Sequence, residues 1–247
     1  MNYQLPPPAG FGNCNGCAYF ASGPPQICQQ CASETLEPAA PWYCRVCGQR
    51  VVTEQDRCTN RLCSDPGRQF EFNQAIAMKT GALDTAIKAH KYSGQWGWGI
   101  IFARVLLGYL ARDPRAAGAD LIIPMPSRPL PPGITTRKGH DHAGWIIESA
   151  ATQDDRYPFR FAPPVLIKTR DTERMVSTRG YAERCTLSND IYNALQVLDP
   201  AAVHGATVAV VDDVFTTGNT LNAVARRLRE AGARAVRGLT LARAPYR

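Results

Sequence analysis

The chain has 247 residues, 28 Lys plus Arg against 21 Asp plus Glu, and a formal net charge of +7. With 45% hydrophobic and 20% charged residues it has a globular composition, which excludes wholesale disorder. The most apolar stretch, Trp98 to Leu110, contains Arg104 and is too short to cross a hydrocarbon layer of roughly 30 Å, so no membrane span is expected.

The opening residues Met1-Asn2-Tyr3-Gln4-Leu5-Pro6-Pro7-Pro8 carry neither a basic region nor an apolar one, so no secretory signal is expected there. That reading predicts a cytoplasmic, reducing setting in which cysteines stay unpaired. Eight of the nine cysteines nevertheless crowd into the first 63 residues, as Cys14-x-x-Cys17, Cys28-x-x-Cys31, Cys44-x-x-Cys47 and Cys58-x4-Cys63. Ten residues separate the two pairs in each half, so a two-turn unit is used twice. Two thiolates on one tight turn can face one tetrahedral ion, and a second turn completes a four-sulfur shell. Structural zinc is therefore expected at two sites, ahead of disulfides or an iron–sulfur cluster. The repeated spacing favours sequential sites, Cys14, Cys17, Cys28, Cys31 and Cys44, Cys47, Cys58, Cys63, over a cross-braced arrangement. Residues 1–72 read as a double zinc-ribbon module too poor in aliphatics to fold without metal. They hold five Arg, no Lys and six acids, a charge of −1 that thiolate ligation makes more negative. Residues 73–247 hold 23 basic and 15 acidic residues, or +8. Any nucleic-acid surface is thus expected in this second part, with Arg226, Arg227, Arg229, Arg234 and Arg237 as its densest cluster.

Residues 73–112 read as helical, with Ala82, Leu83, Ala86, Ile87 and His90 at helical spacing and a break at Lys91-Tyr92-Ser93-Gly94. From residue 120, short apolar runs alternate with helical segments: Leu121–Ile123, Val165–Ile167, Val208–Val211 and Val236–Leu241. Such alternation predicts an α/β fold with a parallel sheet, whose ligands sit at the carboxyl ends of the strands. After the third run comes Val210-Val211-Asp212-Asp213-Val214-Phe215-Thr216-Thr217-Gly218-Asn219-Thr220, leading into a helix expected from about Thr220 to Ala231. Two carboxylates suit a vicinal diol, and a Thr/Gly loop at a helix N-terminus suits a phosphate. Phosphate beside diol describes a ribose 5-phosphate.

This run resembles the phosphoribosyl pyrophosphate (PRPP) motif of type I phosphoribosyltransferases. The wider order is similar to the ComF family of competence-associated phosphoribosyltransferases: cysteine pairs, a Lys-Tyr-x-Gly segment, Asp120-Leu-Ile-Ile-Pro-Met-Pro126, then the PRPP motif. The resemblance implies a type I phosphoribosyltransferase fold over residues 73–247, with the Cys-rich module before it. It implies that Asp212 and Asp213 hold the ribose hydroxyls and that Thr216, Thr217, Gly218, Asn219 and Thr220 cradle the 5-phosphate. Ser127 and Arg128, after Pro126, would meet the pyrophosphate. Lys168 to about Arg184, including Lys168, Arg170 and Arg174, would form a mobile loop closing over PRPP.

The implied reaction uses PRPP and Mg²⁺, transfers ribose 5-phosphate to a nitrogen acceptor and releases pyrophosphate. Single-stranded DNA or DNA-uptake proteins are the candidate partners, and a PRPP-sensing or DNA-uptake factor without catalysis is the alternative function. Glutamine-dependent chemistry is not expected, because residue 2 is Asn2 and the first cysteine is Cys14. The chain departs from the family where Lys138-Gly139-His140-Asp141-His142 stands for Arg-Gly-Phe-Asn-Gln, and at Met175 and Leu187. A polar helix start is the expectation for His140-Asp141-His142, ahead of metal binding or proton transfer. Cys185, outside the cysteine pairs, is read as a small buried or incidental residue ahead of a reactive thiol.

Overall fold

The computed structural model describes residues 42–53, 57–111, 113–128, 130–172 and 181–245; of residues 181–185 only the backbone is described. Cys14, Cys17, Cys28, Cys31 and Arg174 lie outside the described residues. Strand β1 (Asn73–Met78) is followed by helices α1 (Gly81–Tyr92), α2 (Gly97–Leu110) and the single turn α3 (Pro114–Ala117). Then come β2 (Leu121–Pro124), α4 (His142–Ala151), β3 (Leu166–Lys168), α5 (Tyr181–Asn193), β4 (Leu195–Val197) and the short α6 (Pro200–Val203). The chain closes with β5 (Thr207–Phe215), α7 (Asn219–Glu230) and β6 (Ala235–Arg243).

Four strands form one sheet in the order β1-β6-β5-β2, and every neighbouring pair is parallel. Side chains alternate across it. Ala209 and Val211 of β5 face a core shared with Ile87, Phe102, Leu106, Ile146 and Ile147 from α1, α2 and α4. Val208 and Val210 face a second core, shared with Ile191 of α5 and Leu221, Val224 and Leu228 of α7. Leu62, Phe70 and Cys47 belong to this second core, so the described N-terminal residues pack directly on it. Each such aliphatic contributes about 1.5–3 kcal/mol by leaving water, and the two cores clamp the sheet between helices.

Two expectations need correction. The segment 73–112 is not helical throughout, because Asn73–Met78 is an edge strand paired to β6. Asn-Gln-Ala-Ile-Ala-Met has only one β-branched residue, so pairing and burial override local propensity. The run around Val165–Ile167 does not join the parallel sheet; Leu166–Lys168 pairs antiparallel with β4 in a separate two-stranded ribbon. The other expected strands, the break after Tyr92 and the helix after Gly218 stand where their patterns put them.

Candidate functional site

Strand β5 runs on through the acidic pair to Phe215, so Asp212 and Asp213 lie within its last residues and face opposite sides of the sheet. Asp212 lines a small cavity of about 40 Å³ together with Asn73, Met125, Thr216, Gly218, Thr220 and Thr240. Polar groups meet in its lining: Asn73 Nδ2 donates to Thr240 Oγ1 at 3.1 Å. Burial raises the Asp212 carboxyl to about 6, with the Lys91 ammonium pulling the other way. Its Oδ1 accepts from the Asp213 amide at 2.9 Å. Gly218 is the N-cap of α7 at φ 90°, in the left-handed region. A Cβ there would lie 2.6 Å from Phe215 Cζ and 3.1 Å from Leu62 Cδ2, so only glycine fits. The helix that follows begins beside the cavity with no side-chain cap, and the first N–H groups of a helix lack intrahelical partners and suit an anion.

Asp213 goes to the other face, where it is buried and its Oδ2 lies 2.6 Å from Lys91 Nζ. Lys91 stands in the last turn of α1, and the chain around it is braced by aromatic stacking. His142 Nε2 lies 3.0 Å from the Lys91 carbonyl, and the His142 ring stacks on Trp96 at 4.8 Å. His90 is fully buried beside both rings, and burial lowers its imidazole to about 4. Trp145 Nε1 donates to the Trp96 carbonyl at 2.9 Å. His140-Asp141-His142 is a helix start: Asp141 caps α4 by accepting from the Gly144 amide at 2.9 Å. Asp141 also pairs with Arg137 Nη1 at 2.6 Å.

Ser127, Arg128 and Lys168 line a second, larger cavity of about 340 Å³, walled by Ile123, Pro124, Phe161, Val165 and Leu166. Arg128 is exposed and only loosely paired, 3.9 Å from the exposed Asp171. Lys168 donates to Thr172 Oγ1 at 2.6 Å, and burial lowers the pKa of its amine. Arg170 turns outward to Asp190 at 2.5 Å. The structure therefore brings Asp212, Thr216, Gly218 and Thr220 together, and separately Ser127, Arg128 and Lys168. Residues 173–180 of the expected loop lie outside the described residues.

Cys44, Cys47, Cys58 and Cys63 converge, with all four sulfurs within 4.8 Å of one another. Cys47 and Cys58 Sγ are 3.6 Å apart, and Cys58 and Cys63 Sγ 3.8 Å. A tetrahedron with bonds of about 2.3 Å has an edge near 3.8 Å, so the group fits a zinc ion in the sequential grouping. As thiols the four sulfurs compete for protons: hydrogen bonds from Cys47 and Cys63 pull Cys44 far down, Cys63 is driven up, and burial lifts Cys58 to about 12. A divalent cation lets all four ionise together. The buried Arg243 adds positive charge beside them, with Nη2 3.8 Å from Cys47 Sγ.

Lys91, Arg243, Asn60, Asn73 and Thr240 were not legible as site residues, because each reaches the site only through the fold. Lys91 had a signal in its place at the helix break. Of the arginine cluster, Arg226 and Arg227 pair with Glu230, Arg234 with Asp120 and Arg237 with Glu71. Three carboxylates thus stand against the five arginines, and Arg229 donates to backbone carbonyls instead. No helix among the described residues is long and apolar enough to cross a membrane.

Residues 170–247 match the family model of the phosphoribosyl transferase domain. That span contains the acidic pair, the Thr/Gly loop and α7. The chain thus carries a phosphoribosyltransferase-type fold, a parallel sheet flanked by helices, with a four-cysteine cluster in its N-terminal region. Among solved structures, the allosteric regulatory enzyme of purine biosynthesis aligns at 25% identity and TM-score 0.32, over 56% of this chain and 25% of that one. The glutamine PRPP amidotransferase from B. subtilis, complexed with ADP and GMP, aligns at 22% identity and TM-score 0.32, over 60% of this chain and 26% of that one. The alignments span about a quarter of the length of those two proteins. No curated protein matches the chain.

Proposed function

We propose that the protein is a phosphoribosyltransferase that uses PRPP and Mg²⁺ to transfer ribose 5-phosphate to a nitrogen acceptor. The observation that carries this reading is the small cavity where Asp212, at the end of β5, meets the Thr216–Thr220 turn at the start of α7. In this reading the turn amides and the Thr216 and Thr220 hydroxyls hold the 5-phosphate, while Asp212 accepts from a ribose hydroxyl. Asp213 turns to Lys91 on the opposite face of the sheet, so the ribose role that the motif resemblance implies for both carboxylates falls to Asp212. Ser127 and Arg128 would meet the diphosphate, and Lys168, Arg170 and Arg174 are the cations that the motif resemblance assigns to it.

A nitrogen lone pair attacks the anomeric carbon as its bond to the diphosphate oxygen breaks, and the diphosphate leaves with that electron pair. Positive charge that develops on the ribose is met by Asp212. The Asp212 carboxylate is the hard oxygen donor that would hold Mg²⁺, which typically binds through one or two carboxylates plus substrate phosphates. When bound, the ion neutralises the diphosphate and eases its departure. The protein otherwise contributes positioning and charge, with no covalent intermediate.

Residues 1–72 serve in this account as a metal-folded module, with Cys14, Cys17, Cys28 and Cys31 as a second zinc site. A cytoplasmic location and a link to DNA uptake rest on the cysteine chemistry and on the resemblance in motif order. The test is pyrophosphate release when PRPP, Mg²⁺ and a panel of nitrogen acceptors are mixed with the protein. Release that requires one acceptor and is lost in Asp212→Asn is expected. PRPP binding without release by any acceptor would favour a sensing role.

A further inference from the structure

The four-cysteine cluster and the phosphate turn are distant in sequence and adjacent in space, and one residue joins them. Asn60 lies between Cys58 and Cys63 and is 4% exposed. Its Oδ1 accepts from the Leu62 amide at 3.3 Å, capping the short turn Arg61–Cys63 that carries the last sulfur. Its Nδ2 donates to the Thr217 carbonyl at 3.0 Å, inside the phosphate turn. One side chain therefore spends one end on the metal knuckle and the other on the phosphate turn.

Three further contacts repeat the link. Leu62 packs beneath Gly218, where its Cδ2 would meet any added Cβ at 3.1 Å. The Gln69 amide donates to Asn222 Oδ1 at 2.7 Å, in the first turns of α7. Arg243 lies between Cys47 Sγ at 3.8 Å and the Phe215 carbonyl at 3.2 Å, with its guanidinium 5.1 Å from the Phe215 ring. Four thiolates on a divalent ion leave a charge of about −2, which the buried Arg243 partly offsets. Arg243 thus ties the charge of the metal site to the residue just before the phosphate turn.

We propose that Asn60 is a positioning residue that couples metal occupancy of Cys44, Cys47, Cys58 and Cys63 to binding of the PRPP 5-phosphate. The inference rests on the reading that residues 216–220 hold a phosphate. With metal bound, the Arg61–Cys63 turn is fixed and the Thr217 carbonyl is held down, which leaves the turn amides aimed at the cavity. Without metal the knuckle loses its organising centre, and the turn must pay its own ordering entropy when ligand arrives. Coupling of this kind is reciprocal: whatever factor the metal adds to PRPP affinity, PRPP adds to metal affinity.

Asn60→Asp separates the two ends of the side chain. The carboxylate keeps the acceptor that caps Leu62 and replaces the donor to Thr217 with a repelling oxygen. The full-length, zinc-loaded protein and this variant are compared in zinc content, in PRPP affinity by calorimetry with Mg²⁺, and in zinc affinity by competition with a zinc-selective chelator, with and without saturating PRPP. The variant should keep its zinc and bind PRPP about tenfold more weakly, as loss of one partly buried hydrogen bond predicts. The unsubstituted protein should hold one zinc about tenfold more tightly with PRPP present, and the variant should lose that gain. Equal PRPP affinity in a zinc-replete variant, or zinc affinity indifferent to PRPP in the unsubstituted protein, overturns the coupling. Should the variant fail to fold, Leu62→Ala and the linkage in the unsubstituted protein decide the matter. If the unsubstituted zinc-loaded protein binds no PRPP, the phosphate-site reading itself fails.

Discussion

Lys91 Nζ lies 2.6 Å from Asp213 Oδ2, a pair that ties the last turn of α1 to the strand carrying the acidic motif. The carboxylate is buried and the ammonium is about a quarter exposed. Removing the cation leaves a charge stranded in the core, whereas removing both charges does not. Lys91→Met should destabilise the protein by about 2–3 kcal/mol, and adding Asp213→Leu should restore part of that loss. Denaturant melts of the two single variants and the double variant measure the coupling. Additive losses would show that the pair is incidental.

Asp212 gives a prediction in pH. Its folded value near 6 stands above the ordinary carboxylate range, so the folded chain holds a proton that the unfolded chain releases. Its contribution to stability therefore falls as pH rises from about 4 to about 6. Asp212→Asn should stabilise the ligand-free protein at pH 7 relative to the native residue. His90 acts with the opposite sign, since burial lowers it to about 4 and stability falls as pH drops from about 6.5 toward that value. The Asp212 effect is thus read as a difference between the two proteins across the pH range. In the proposed complex a ribose hydroxyl donates to Asp212 and favours its ionised form, so binding at about pH 6 should release protons, seen as a dependence of calorimetric heat on buffer ionisation. The phosphates of PRPP also titrate at about pH 6, so the Asp212 share is the part of that dependence that Asp212→Asn removes.

Gly218 tests the proposed role of the Thr216–Thr220 turn through sterics. Its φ of 90° disfavours any side chain, and a Cβ would strike Phe215 at 2.6 Å. The left-handed conformation alone costs a non-glycine residue about 1–2 kcal/mol, and the ring must also shift. Gly218→Ala should lower thermal stability and weaken PRPP binding together. A variant with native stability and native affinity would mean that the turn is adaptable.

The metal centre predicts a stoichiometry. Elemental analysis should find two zinc ions in the full chain, and Cys47→Ser should bring that to one while lowering the melting temperature. Because all four thiols must ionise to bind, zinc affinity should weaken as pH falls. Protein isolated with iron and visible absorbance would contradict the assignment.

Local pattern carried much of this architecture. The alternation of Val208–Val211 and the Thr/Gly turn marked β5 and α7, since a buried strand, a left-handed glycine and an amphipathic helix leave signals within a dozen residues. The cysteine spacing foretold the grouping of Cys44, Cys47, Cys58 and Cys63 for the same reason. What could not be read is what tertiary contact creates. Asn73–Met78 becomes a strand only because β6 offers it an edge. Asp213 reads as the twin of Asp212 until strand alternation sends it toward Lys91. Asn60 looks like an ordinary turn residue until the knuckle is laid against Thr217, 157 residues away.

The central claim is that the Asp212 cavity and the Thr216–Thr220 turn bind PRPP, and calorimetric titration of the zinc-loaded protein tests it most directly. The account predicts saturable binding of one PRPP per chain, dependent on Mg²⁺ and weakened about tenfold or more by Asp212→Asn, as loss of a charged hydrogen-bond acceptor requires. Titration with no heat beyond dilution, or an Asp212→Asn variant that binds PRPP as tightly as the native protein, would contradict it.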